Sequence, residues 1–342
     1  MSRLRDVPLS ALDLAPITTS GDASTAFAHT RELARHVERL GFTRFWLAEH
    51  HNMPGIASSS PAVLIGHVAD ATTTLRVGSG GVMLPNHPPM VVAEQFGTLS
   101  ALHPGRIDLG IGRAPGTDQR TARALRRTAG PLSADDFPQQ LAELTGYFAG
   151  SEPLDAVPAE GNRPDVFLLG SSGYSAQVAA VNGLPFAFAH HFSAQNTLPA
   201  LALYRERFRP SARLSEPYAV VCASVLVADT DERAEYLAMP GSLAFLNLRS
   251  GRPGRMPTNE EAAAHPYTDL ELLFIEERRA EQVLGSPETV RAQLGRLLDD
   301  TRADELMVTT MVAEQRDRLR SYELLAELFD RSSERVKTEV EV

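Results

Sequence analysis

Imidazole is the side chain that exchanges protons near neutral pH, and this chain carries two adjacent pairs of them, His50-His51 and His190-His191. The first pair follows an acid, giving Glu49-His50-His51. On an extended backbone, neighbours face opposite sides. Glu49 and His51 therefore share one face and His50 takes the other. A His50 that faces a cavity can serve as a general acid or base, or polarise a ligand. Two other readings stand beside that one. The histidine can be structural, hydrogen-bonded at a strand end. It can also be a metal ligand, although adjacent histidines do not converge on one point as His-x-His does.

Other residues suit a flat, anionic ligand. Gly80-Gly81 lies within an apolar run, where bare backbone permits close approach of a ligand or marks a bulge. Gly170-Ser-Ser-Gly-Tyr-Ser175 links an apolar run to a helical pattern. Backbone N–H groups at a helix start attract phosphate, and the hydroxyls of Ser172 and Ser175 add donors. The alternative is a plain N-cap turn. Arg113 ends a preceding strand and could clamp the same phosphate from a second direction, or pair with a surface carboxylate. No Lys follows the turn and no G-x-G-x-x-G is present, so neither usual nucleotide fingerprint applies. No G-x-S-x-G elbow occurs. Cys222 lies in an apolar strand and reads as an inert buried thiol.

The elements that must position these groups alternate between short β-branched runs and helical patterns. Strands are expected at 9–17, 42–50, 75–83, 106–112, 165–169, 185–190, 218–228 and 305–312. Helices are expected at about 24–40 (capped by Ser24 and stopped by Gly41), 61–73, 90–102, 134–148, 174–182, 198–208, 287–298 and 316–329. The first four strands begin near residues 9, 42, 75 and 106. That regularity argues a parallel sheet. Eight units fit an α/β fold of the (β/α)8 TIM-barrel class in one domain, 1–330, with an open doubly wound sheet as the alternative. Two segments exceed a minimal barrel: the connection after strand 4, and 239–286 before strand 8. The latter contains Arg249-Ser-Gly-Arg-Pro-Gly-Arg-Met-Pro257, which cannot form a regular element, and reads as a mobile lid. Residues 331–342 read as a frayed tail. The chemically unusual residues gather at the ends of successive strands, where such barrels place function.

Composition narrows the partners. Of 342 residues, 33 are Lys or Arg and 43 are Asp or Glu, a net charge of −10. A chain this acidic has no global attraction for nucleic acid or anionic lipid. One cysteine precludes an internal disulfide and fits a reducing compartment. No apolar run reaches membrane-spanning length, and residues 1–8 lack the apolar core of a signal peptide. The expected setting is the cytoplasm.

Three motifs together carry a resemblance over roughly residues 9–330. They are Trp46-Leu-Ala-Glu-His-His51, Val77-Gly-Ser-Gly-Gly-Val-Met-Leu-Pro-Asn-His87 and Gly105-Arg-Ile-Asp-Leu-Gly-Ile-Gly-Arg-Ala-Pro-Gly116. The chain resembles the bacterial luciferase-like flavin monooxygenases, and within them the alkanal-monooxygenase-like subgroup. The resemblance implies a barrel that binds reduced FMN at its mouth and uses dioxygen to oxygenate a small organic substrate. It implies that an NAD(P)H-dependent flavin reductase supplies the reduced flavin, and that the protein is a homodimer. It puts the catalytic histidine at His50, a cis peptide at Gly80-Gly81, and the phosphate at Arg113, Ser171, Ser172 and Ser175. Further cofactor contacts are implied at Ala15, Gly170, Tyr174 and His190. Light-emitting subunits carry a cysteine where this chain has Gly112, and an acid where it has Ser171, so light emission is not implied. Two alternatives remain: a deazaflavin-dependent oxidoreductase on the same barrel, and a non-catalytic flavin-binding partner subunit.

Overall fold

Strands rich in branched and aromatic residues, each followed by a helix, close here into a ring. The computed structural model describes residues 3–114, 119–126 and 136–330. The expected tail at 331–342, Pro115-Gly116 of the third motif and the start of the helix expected from 134 lie outside them. The strands are β1 (Leu9–Asp13), β2 (Arg44–Leu47), β3 (Arg76–Ser79), β4 (Val82–Met83), β5 (Ile107–Gly112), β6 (Asp165–Gly170), β7 (Phe186–Ala189), β8 (Ala219–Val227), β9 (Val283–Gly285) and β10 (Glu305–Thr309). Eight of them pair in parallel in the order β10-β1-β2-β3-β5-β6-β7-β8, and β8 pairs with β10 to close the barrel. The open-sheet alternative is thereby removed. β4 pairs with β5 and β9 with β8 outside this ring.

The helices are α1 (Ala23–Arg39), α2 (Pro61–Ala71), α3 (Pro89–Leu102), α4 (Gln119–Arg126), α5 (Phe137–Ala149), α6 (Gly173–Val181), α7 (Thr197–Arg207), α8 (Asp231–Arg249), α9 (Asn259–Ala263), α10 (Asp269–Ala280), α11 (Pro287–Thr301) and α12 (Gln315–Leu328). Among the described residues, no helix is long and apolar enough to cross a membrane. α1 shows how the pattern works. Leu33, Ala34 and Val37 bury one stripe, and Gly41 takes φ +77° just past the last turn, a conformation that favours glycine. The cap is Asp22 rather than Ser24, because the Asp22 carboxylate accepts the Thr25 N–H at 2.8 Å while Ser24 already lies inside the helix.

Alternation along the strands divides the core. Phe45, Leu47, Val77 and Leu109 face the helices. Trp46, Phe167, Val220 and Met307 fill the barrel interior. The interior is sealed at the strands' N-terminal ends by paired charges. Arg44 bonds Asp108 at 2.8 Å and Glu305 at 3.0 Å, and Arg76 bonds Asp108 at 2.6 Å. Trp46 Nε1 donates to Asp108 at 3.0 Å, Tyr218 donates to Glu305 at 2.7 Å, and Ser10 also donates to Glu305.

Two expected elements come out differently. The strand expected at 75–83 breaks at Gly80–Gly81, where the peptide is cis. Side chains do not fit there: a Cβ on Gly80 would come within 2.6 Å of Leu12 Cδ1, and one on Gly81 within 2.8 Å of the Gly110 carbonyl. The segment 239–286, read as a mobile lid with an irregular middle at 249–257, holds the end of α8, all of α9 and α10, and β9. α9 and α10 each begin with a reciprocal capping box, Thr258 with Glu261 and Thr268 with Glu271, which satisfies the otherwise orphaned N–H groups. Residues 250–258 between α8 and α9 contain no helix or strand, as their Gly, Pro and Arg content requires. They are tied to the loop after β1: Thr19 N–H donates to the Met256 carbonyl and Met256 N–H to the Ile17 carbonyl, both at 2.9 Å. Ile17 N–H in turn donates to the Gly55 carbonyl at 2.9 Å.

Candidate functional site

A cavity of about 410 Å³ opens where the barrel strands end. Its wall is mostly apolar, with a few converging polar groups, as small-molecule sites usually are. His50, Gly80, Gly81 and Arg113 line it, and so do Gly170, Ser171, Ser172 and Ser175. Ala15, Tyr174 and His190 are not among the lining residues. Ala15 is buried at φ +49°, its N–H donated to Asp13 Oδ1 at 3.1 Å. His190 bonds Thr197 Oγ1 at 2.8 Å and sits in a one-turn 3-10 helix, because β7 ends at Ala189. Its neighbour His191 faces the cavity instead.

His50 is fixed by its neighbours. β2 stops at Leu47, yet the alternation persists through residue 51. Glu49 is fully buried and accepts from His51 Nε2 at 2.9 Å, His87 Nε2 at 2.8 Å and the Met83 N–H at 3.0 Å. Burial alone would raise its pKa, but these donors outweigh it and hold the carboxyl below the usual range. His50 points the other way, into the cavity. Its backbone N–H is tied to the Ser58 carbonyl at 2.9 Å, and its buried Nδ1 has no partner. Burial pulls its pKa down, against a weaker opposing effect of Glu49. The ring is therefore neutral near pH 7, with one nitrogen free to give or take a proton. Among the described residues, no three His, Cys, Asp or Glu side chains converge as metal ligands.

The anion-binding groups lie side by side because β5 and β6 pair with Gly112 opposite Leu169. This puts Arg113 next to Gly170. The Arg113 guanidinium carbon rests 4.2 Å from the centre of the Tyr174 ring, an attraction worth about 0.5–2 kcal/mol. Tyr174 thus positions the arginine from behind the wall. α6 starts at Gly173 without a side-chain cap bond. Its first-turn N–H groups, which have no intrahelical partner, are open to an anion. Gly170 permits the bend, since a Cβ there would collide with the Ser175 side chain.

This barrel, with its glycine shelf, basic end and neutral histidine, is matched over residues 9–305 by the family model for luciferase-like monooxygenases. The chain belongs to that family. It is similar to a luciferase-like monooxygenase of Escherichia coli K12, with 48% identity over 324 residues, covering 94% of this chain and 96% of the relative. The crystal structure of apo-MsnO8 superposes with a TM-score of 0.88 at 39% identity, covering 95% of this chain and 98% of that one. The oxygenating constituent of 3,6-diketocamphane monooxygenase from Pseudomonas putida, solved with FMN, shares the fold: TM-score 0.70, 19% identity, covering 96% and 98%. This luciferase-like chain is accordingly an enzyme of the monooxygenase class.

Several luciferase-like cavity groups were given no site role by the sequence pattern. His191 donates Nδ1–H to the Cys222 carbonyl at 2.9 Å, so its neutral tautomer keeps Nε2 as an acceptor. Burial lowers its pKa to about 4. Cys222 also lines the wall, its thiol pushed up by burial. Thr309 Oγ1 is buried without a partner, and Arg278 reaches the wall from α10. The histidine pair pointed to His191, and position at a strand end or in 239–286 is the signal for Thr309 and Arg278.

Proposed function

We propose that this chain is an FMN-dependent monooxygenase that takes reduced flavin from a separate NAD(P)H-dependent reductase and, with dioxygen, oxygenates a small organic substrate. The observation that carries the reading is the stacking of Arg113 on Tyr174 beside the uncapped start of α6. A guanidinium fork and a row of backbone N–H groups form a two-sided clamp for a phosphate dianion. Gly80 and Gly81 supply a wall without side chains, on which a flat ring can lie against the backbone. Bound reduced FMN supplies the electrons that activate dioxygen. His50, neutral and with Nδ1 unpaired, is placed to hold or move a proton at the reacting centre. The apolar wall keeps water out, which protects reactive species from hydrolysis. In this reading 239–286 acts as the cover, and the protein works as a homodimer in the cytoplasm.

Titration with FMN, riboflavin and a deazaflavin in both redox states tests the reading. FMN should bind, and riboflavin, lacking the phosphate, should bind more weakly. Preference for the deazaflavin would favour the oxidoreductase alternative, and absence of affinity for any of the three would overturn the assignment. Oxygen uptake coupled to a flavin reductase, with products followed by mass spectrometry, separates a monooxygenase from a binding subunit without turnover.

A further inference from the structure

Arg278 is the cavity's second arginine, and it sits where no phosphate clamp exists. It projects from α10, which packs against α8 and β9, whereas Arg113 follows β5. Its guanidinium carbon lies 3.4 Å from the centre of the Phe245 ring. Phe245 in turn stacks on Phe274 with centroids 5.8 Å apart and planes 11° from parallel. One face of the guanidinium is therefore occupied by an aromatic pair, and its N–H groups are confined to the edge. Among the described residues no carboxylate comes within ion-pair distance, and the buried Nε has no hydrogen-bond partner. The nearby acids are engaged elsewhere or exposed. Glu271 closes the α10 capping box, Glu276 and Glu277 face solvent, and the attraction of the exposed Glu281 is outweighed by burial. Burial lowers the guanidinium pKa to about 10, so it remains charged at neutral pH.

A half-buried cation in an apolar wall costs free energy unless an anion joins it. Its fork geometry suits a planar carboxylate held by two parallel bonds. The cavity wall is mostly apolar, and Leu248, Met256 and Met311 line it together with Phe245. His50, His191 and Arg278 line the same cavity, so the cation and the proposed reacting centre share one chamber. We infer that Arg278 anchors a carboxylate on the organic substrate, making the preferred substrates amphipathic monoanions whose apolar body lies along the Met- and Phe-lined wall. This rests on the reading of the cavity as a substrate chamber, and adds the chemical class of the substrate to it.

Matched acids and esters test the inference on the full chain. Octanoate and 4-phenylbutyrate are titrated by calorimetry against their methyl esters, with FMN titrated separately. The acids should bind at least about tenfold tighter than the esters, the scale of one charge-assisted contact. Arg278→Gln should erase that preference, leaving ester and FMN affinities unchanged. Arg278→Lys, which keeps the charge without the fork, should retain part of it. Equal affinity of acid and ester in the native protein overturns the inference, as does a preference that survives Arg278→Gln. Loss of FMN binding in Arg278→Gln overturns it too, since the arginine would then serve the flavin. If Arg278→Gln does not fold, the native acid-to-ester ratio decides alone. Failure of FMN to bind at all, with the acid preference intact, would instead sink the flavin reading and leave the anion site standing.

Discussion

At the floor of the barrel, Arg44 and Arg76 meet Asp108, and Arg44 also meets Glu305. At the mouth, Arg113 and Arg278 rest on the aromatic rings of Tyr174 and Phe245. Both ends place guanidinium groups in poorly solvated surroundings. The floor neutralises them with carboxylates from neighbouring strands, and Asp108 and Glu305 are fully buried. Among the described residues, the mouth positions its arginines with uncharged neighbours, which hold the planar group in place without consuming its charge. Paired charges close a barrel; unpaired ones are available to a ligand. The division agrees with the general rule that stability gathers at the N-terminal face of such barrels and function at the C-terminal face.

The contrast is sharpest under substitution. Asp108→Ala removes the carboxylate shared by Arg44, Arg76 and Trp46, leaving Arg44 with Glu305 and Arg76 with Asp165, and should cost about 3 kcal/mol of stability, read by chemical denaturation. The protein that remains folded should bind FMN normally, and a selective loss of flavin affinity would break the division. His50→Ala should lower kcat by about a hundredfold or more, as expected for losing a group that moves a proton, with the thermal midpoint unchanged. Arg113→Ala should weaken FMN by about 10- to 100-fold, matching a lost charge-assisted contact of about 1.5–3 kcal/mol. Riboflavin should be unaffected, and stability without flavin should not change.

The smallest effect concerns pH. His191 is held near pKa 4 in the fold, below its ordinary value of 6.5. The unfolded chain therefore binds the extra proton first. Stability is intact above about pH 6.5 and falls as the pH drops toward 4, at no more than about 1.4 kcal/mol per pH unit for this one group. His191→Gln should make the acid limb of a denaturation profile shallower. His50 and His190, whose pKa values burial also lowers, contribute in the same direction.

How much of this was legible depended on the range of the signal. Alternation and strand spacing predicted the barrel, because they are repeated local patterns enforced by burial. The opposed faces of Glu49 and His50 followed from the same period of two, although β2 ends before them. Gly80–Gly81 stood out because glycine weakens an apolar strand and so marks a close backbone approach or a bulge. The helices within 239–286 start at Thr258-x-x-Glu261 and Thr268-x-x-Glu271, short signatures that flank a Gly- and Pro-rich run whose composition signals loop. Arg278 was invisible because Glu-Glu-Arg-Arg reads as a solvated helix face. Only the packing of Phe245 beneath it turns that charge inward. His191 rather than His190 faces the cavity because β7 ends one residue early and the chain turns tightly, a boundary shift that periodicity cannot resolve.

The hydrogen bonds joining Ile17, Thr19, Gly55 and Met256 splice three remote stretches of sequence above the barrel. Displacing any one of them tugs on the other two. Because Gly55, Ile56 and Met256 also line the cavity, this part of its rim is a cross-brace drawn from three distant parts of the chain rather than a single loop.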